Sequence, residues 1–93
     1  LQVQFVDTFD EAIEAANNTI YGLAAGLISD NKNLFNEFVA RINAGVINFN
    51  STTTGASGAF PFGGIGRSGN LRPAGYYAAD YCAWPKASII KQL

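Results

Sequence analysis

The chain has 93 residues, of which 48% are hydrophobic, 13% aromatic and 14% charged, and its formal net charge is −1. Its six basic residues are scattered rather than striped, which argues against a nucleic-acid surface, and no apolar run approaches the ~20 residues of a membrane helix. A single cysteine excludes an internal disulfide and suits a reducing cytoplasm. The charged fraction falls well below the ~25% of an average domain, and seven Phe, four Tyr and one Trp are many for so small an interior. Much of this apolar surface is therefore expected to meet protein outside these residues; the alternative is a compact apolar domain. With Leu first and no Met, the chain is expected to be a processed or excised piece.

Leu1 to Phe5 alternates apolar and polar, the period of a half-buried strand. Thr8-Phe9-Asp10-Glu11 has the pattern of a capping box, in which Thr8 accepts from the Glu11 N–H and Glu11 reaches back to Thr8. The helix it opens carries Ala12, Ile13 and Ala16 on one face and ends at Asn17-Asn18-Thr19. Leu23 to Ser29 is nearly uncharged and predicts a strand buried on both faces. Asp30 or Asn31 then caps a second helix, along which Leu34, Phe35, Phe38, Val39 and Ile42 form an apolar stripe. Glu37 and Arg41 are spaced for an i,i+4 ion pair, and Gly45 suits a left-handed helix end. Val46 to Asn50 predicts a strand, residues 51–72 a loop, and Pro73 the first turn of a third helix reaching about Asp80. Cys82 to Leu93 predicts an extended tail. Strands alternating with helices imply an α/β fold with a partial, mostly parallel sheet and flanking helices.

The loop holds the informative residues. Phe60 to Asn70 contains four of the chain's ten glycines, so its backbone is expected to turn sharply or to lie close against something. Gly64-Ile65-Gly66-Arg67-Ser68-Gly69 matches G-x-G-x-x-G, but a dinucleotide site needs a strand before it, a helix after it and an acidic residue about 20 positions on. Pro61-Phe62-Gly63 precedes the match, Asn70-Leu71-Arg72-Pro73 follows it, and Ser88-Ile89-Ile90 stands where the carboxylate belongs. Thr54-Gly55-Ala56-Ser57-Gly58 leaves backbone N–H groups uncovered, an arrangement that grips carboxylates; a flexible surface linker is the plainer reading. Cys82 lacks a base to activate it because the chain has no histidine. By the same count, one Cys and no His leave only scattered carboxylates, and no metal ligand set is assigned.

Asn17 to Gly26, Gly45-Val46-Ile47-Asn48, Pro61-Phe62-Gly63-Gly64 and Ser68-Gly69 resemble, in order and spacing, the C-terminal part of the aldehyde dehydrogenase superfamily. Ser68-Gly69-Asn70 with Arg72-Pro73, and Tyr77 to Pro85, are similar to the branch that acts on N-succinylglutamate 5-semialdehyde in arginine catabolism. That branch commonly carries a lysine and a proline where this chain has Ser51-Thr52-Thr53.

The resemblance implies an NAD-dependent oxidation of a small semialdehyde to its acid by a soluble, cytoplasmic homo-oligomer. In the family a cysteine thiolate attacks the aldehyde, hydride passes to the nicotinamide, and a glutamate activates the water that releases the acid. The family's catalytic cysteine, its glutamate and its NAD-binding domain precede the segment matched here, and Cys82 does not fit the nucleophile's motif. By the same resemblance, residues 1–81 end the catalytic domain, residues 51–72 form a substrate-side loop, and residues 82–93 form an oligomerisation tail. Gly55, Ala56 and Ser57 would then anchor a substrate carboxylate through backbone N–H groups, and Phe62 would line the aldehyde tunnel. Arg72 is a candidate for added positive charge. The piece is expected to be inactive without the missing N-terminal part. The alternatives are dehydrogenation of another acidic semialdehyde, a self-associating interaction module, and an independent small binding domain.

Overall fold

A computed structural model describes residues 1–70 and 73–93. The first helix, α1 (Phe9–Asn17), begins where Thr8 Oγ1 accepts from the Glu11 N–H at 3.2 Å. Glu11 does not close a capping box on Thr8; its carboxylate accepts from the Asp7 N–H one residue earlier, at 2.9 Å. Strand β1 (Ala24–Leu27) follows, then α2 (Lys32–Arg41), then β2 (Val46–Phe49). Asn31 is the cap of α2, its Oδ1 accepting from the Asn33 N–H at 3.0 Å.

β1 and β2 pair in parallel, Ala24 opposite Val46 and Leu27 opposite Phe49, with α2 as the crossover that a parallel pair requires. The alternation of strand side chains gives this pair two faces. Ala25, Leu27 and Ile47 pack on the core of Ile13, Phe38 and Ile42 supplied by the helices, and Phe49 stacks on Phe35 with ring centroids 4.6 Å apart. Ala24, Gly26, Val46 and Asn48 occupy the opposite face.

Two asparagines fasten these elements. Asn17, the last residue of α1, donates through Nδ2 to the Arg41 carbonyl at 2.9 Å and accepts from the Asn43 N–H at 2.8 Å. It thereby satisfies the Arg41 carbonyl, which the end of α2 leaves open, and the Asn43 amide just past that end. Asn50 ends β2 in the left-handed region (φ 51°). Its side chain exchanges two 2.8 Å bonds with the backbone of Ser29, so the ends of β1 and β2 are clipped together. Arg41 bridges Glu37 on its own helix and Asp10 on α1. Both hydrogen bonds, the one to Asp10 foremost, raise the guanidinium's affinity for its proton.

Several expected elements differ. Leu1 to Phe5 forms no strand: no described strand pairs with it, and Leu1, Val3 and Phe5 are exposed. β1 is shorter than Leu23 to Ser29 and is not buried on both faces, since Ala24 and Gly26 are exposed and Ile28 is 85% exposed. Val39 likewise leaves the stripe of α2 44% exposed. Gly45 is not a left-handed helix end. Its missing side chain permits contact instead, because a Cβ there would lie 1.6 Å from the Gly63 carbonyl oxygen.

Residues 51–72 are not uniformly loop. Pro61–Phe62 (β3) pairs antiparallel with Ala74–Gly75 (β4), and Gly66–Ser68 forms a 3-10 turn. The helix expected from Pro73 shrinks to α3 (Ala78–Tyr81). Gly75 takes φ 68°, where a Cβ would lie 2.4 Å from the Phe60 carbonyl oxygen, and this excludes it from a helix. Residues 82–93 carry no regular element. With that tail, the radius of gyration is 18.6 Å, against about 12 Å for a compact chain of this length.

Candidate functional site

The segment after Asn50 folds back over the strand face that the helices leave open. A Cβ on Gly26 would meet Thr53 Cγ2 at 3.4 Å, so the loop lies directly above that position. Within the loop the hydrogen bonds are short-range. Thr52 and Thr54 share one through their hydroxyls, Ser57 Oγ accepts from the Ala59 N–H, and the Ser57 carbonyl accepts from the Phe60 N–H. The N–H groups of Gly55, Ala56, Ser57 and Gly58 have no acceptor among the described residues.

Loop and strand face flank an open hollow of about 440 Å³ lined by Val46, Asn48, Gly55, Ala56, Ser57 and Phe62, among others. A neighbouring cavity of about 310 Å³ shares Val46, Gly55, Ala56 and Phe62 and adds Thr53 and Thr54. All four residues singled out from sequence, Gly55, Ala56, Ser57 and Phe62, therefore stand around one space. Arg72 lies outside the described residues. From Ile42 to Gly66 no side chain is charged, so the polar points of this space are neutral. Among the described residues, a carboxylate placed here would be held by amide and hydroxyl donors, without an ion pair. A larger hollow of about 780 Å³ beside Phe5 and Glu14 has no such convergence of donors; Glu11, on its wall, is engaged by the Asp7 N–H.

Sequence reasoning missed Asn48. Its Nδ2 is buried and has no hydrogen-bond partner among the described residues. A lone Asn in a strand gives no local sign of this; the spacing Val46-x-Asn48, which puts it on the same face as Val46, was the available signal.

The far end of the loop is fixed by glycine contacts. The Gly22 carbonyl accepts from both the Gly45 and Ile65 N–H groups at 3.1 Å, and the Gly22 N–H donates to Ser68 Oγ at 3.1 Å. A Cβ on Gly64 would meet the Gly22 oxygen at 2.7 Å, and one on Gly69 the Gly64 oxygen at 1.8 Å. The G-x-G-x-x-G spacing is thus filled by the chain's own backbone and opens a 3-10 turn, so these residues do not fit a dinucleotide cradle. Cys82 is free and exposed. Among the described residues no group of three His, Cys, Asp or Glu side chains is placed to hold a metal, and no helix is long and apolar enough to cross a membrane.

These blocks in this order belong to a family. Residues 1–87 match the Aldehyde dehydrogenase family, and the chain is a member of it. Among its relatives is the N-succinylglutamate 5-semialdehyde dehydrogenase 2 of Caulobacter vibrioides, 62% identical over 89 residues, which are 96% of this chain and 18% of that protein. The N-succinylglutamate 5-semialdehyde dehydrogenase of Legionella pneumophila (strain Corby) is 55% identical over 92 residues, 99% of this chain and 19% of that protein. The chain thus spans under a fifth of the length of these relatives.

Solved structures agree. The NAD+ complex of an aldehyde dehydrogenase from Bacillus cereus superimposes with a TM-score of 0.73 at 39% identity, over 81% of this chain and 15% of that one. Aldehyde dehydrogenase 21 from Physcomitrella patens, in complex with the reaction product succinate, superimposes with the same TM-score, 0.73, at 29% identity, over 81% of this chain and 16% of that one.

Proposed function

We propose that the chain is part of an NAD-dependent aldehyde dehydrogenase that oxidises N-succinylglutamate 5-semialdehyde to N-succinylglutamate in arginine catabolism. The observation that carries this is the 55–62% identity, across nearly the whole chain, to relatives of that name. The neutral, donor-rich cavity under residues 53–62 supports an acid-bearing substrate, as does a structural neighbour whose reaction product is succinate. In this reading residues 1–81 end a catalytic domain. Gly55, Ala56 and Ser57 hold the substrate carboxylate, Phe62 lines the path of the aldehyde, and residues 51–72 are the substrate-side loop. NAD is bound by other parts of the whole protein, and these 93 residues alone are inactive.

The test is NADH formation by the whole protein that contains residues 1–93, with N-succinylglutamate 5-semialdehyde, succinic semialdehyde and butanal. A clear preference for the acid-bearing aldehydes, the first above all, is expected; equal use of butanal overturns the reading. Turnover by the isolated 93-residue chain that survives Cys82→Ser overturns its inactivity.

A second role is compatible with the first. Trp84, Ile89 and Ile90 are each at least 87% exposed on a stretch without regular structure. Residues 82–93 in this reading are an oligomerisation tail that joins copies of a soluble, cytoplasmic enzyme, and the isolated chain self-associates through it. Size-exclusion chromatography decides: a strict monomer at high concentration counts against it.

A further inference from the structure

Asn48 Nδ2 is the only side-chain polar atom that is both buried and unpartnered among the described residues. Leaving such a donor unmade costs about 1–3 kcal/mol, and native interiors keep few of them. Its position accounts for it. Asn48 sits opposite Gly26, on the strand face that the loop roofs, and it lines the 440 Å³ cavity with Gly55, Ala56 and Ser57. Several polar points around that space are donors. The Asn48 amide nitrogen and the N–H groups of residues 55–57 donate and cannot accept, and Ser57 Oγ, which accepts from the Ala59 N–H, keeps its proton to give. Donors on both sides suit a group that only accepts, such as an ionised carboxylate. The roof is held by bonds within the loop itself, and among the described residues no hydrogen bond ties residues 52–59 to the strand face.

We propose that Asn48 is a specificity-determining residue, its Nδ2 donating to one oxygen of the substrate carboxylate whose other oxygen is held by the N–H groups of residues 55–57. This rests on the acidic-aldehyde reading above and adds a floor to the site, where that reading supplies only a roof.

The experiment uses the whole protein with Asn48→Leu and Asn48→Asp, assayed with succinic semialdehyde and with butanal. Leu removes the donor at similar size and relieves the unpaired amide; Asp is nearly isosteric and adds repulsion. In Asn48→Leu the KM for succinic semialdehyde should rise about tenfold, the equivalent of one hydrogen bond to a charged group. The KM for butanal and both kcat values should stay within about twofold of wild type. Asn48→Asp should discriminate against succinic semialdehyde more strongly than Asn48→Leu does.

If the wild type prefers the acidic aldehyde but both variants lose the two substrates in equal proportion, or lose neither, Asn48 serves another part of the protein and the inference is wrong. If the wild type itself shows no preference, the acidic-aldehyde reading has failed and this one goes with it. Asn48→Asp keeps the shape of the site, so poor folding of the Leu variant would still leave a decisive measurement.

Discussion

The two faces of the β1–β2 pair are built from opposite materials. On the helix face, Ala25, Leu27 and Ile47 meet Ile13, Phe38 and Ile42, and Phe49 stacks on Phe35. On the loop face stand an alanine, a glycine, a valine and an asparagine, beneath a roof of threonines, glycines and serine. One face fills its space with apolar atoms; the other leaves room and presents donors. Close packing stabilises, whereas a binding surface has to keep space and unmet polar groups until its ligand arrives. If the loop face binds as proposed, the two tasks are separated, in a strand pair four residues long, by side-chain alternation alone.

That separation is open to attack by mutation in the whole protein. Gly45→Ala should be the most damaging, because its Cβ has no room beside the Gly63 carbonyl. A loss of more than about 4 kcal/mol, read as failure to recover soluble protein, is expected of a backbone clash that nothing flexible can relieve. Phe38→Ala opens the helix face and should cost about 3–5 kcal/mol in chemical denaturation. The ratio of acidic to neutral aldehyde turnover in the protein that remains folded should not change; a changed ratio would show that the faces are coupled.

Asn17→Ala breaks both bonds at the end of α2 and should cost about 2 kcal/mol, while Asn17→Asp, which still accepts from the Asn43 N–H, should cost less than that. Thr8→Ala removes the cap of α1 and should cost about 1 kcal/mol. Arg41→Gln should be smallest, a slight fall in melting temperature that vanishes in high salt, because its two ion pairs are at the surface.

Much of the helix face was legible in the sequence. The stripe of α2 and the caps at Thr8 and Asn31 are local signals, readable within a few residues. What escaped was fixed by partners far along the chain. Asn17 acts 24 and 26 positions away and Asn50 acts 21 away. Gly45 looked like a helix end because the residue it must approach, Gly63, is distant in sequence. Pro73 looked like a helix start, but Gly75 is required in a left-handed turn against Phe60. Leu1 to Phe5 has the alternation of a strand and no described strand beside it. Around the candidate cavity, small residues gave away Gly55, Ala56 and Ser57, while Asn48 became visible only once the register of β1 on β2 assigned it a face.

The loop between the strand pair and the glycine contacts is held at both ends and lightly in between. Asn50 is locked to Ser29 on one side, and Gly64 and Ile65 are pressed on Gly22 on the other. The intervening stretch therefore behaves as an exchangeable cassette between two rivets. Residues can be added or dropped there at the small entropic cost of a longer or shorter span, and under the proposed function such changes would alter the aldehydes accepted without refolding the frame.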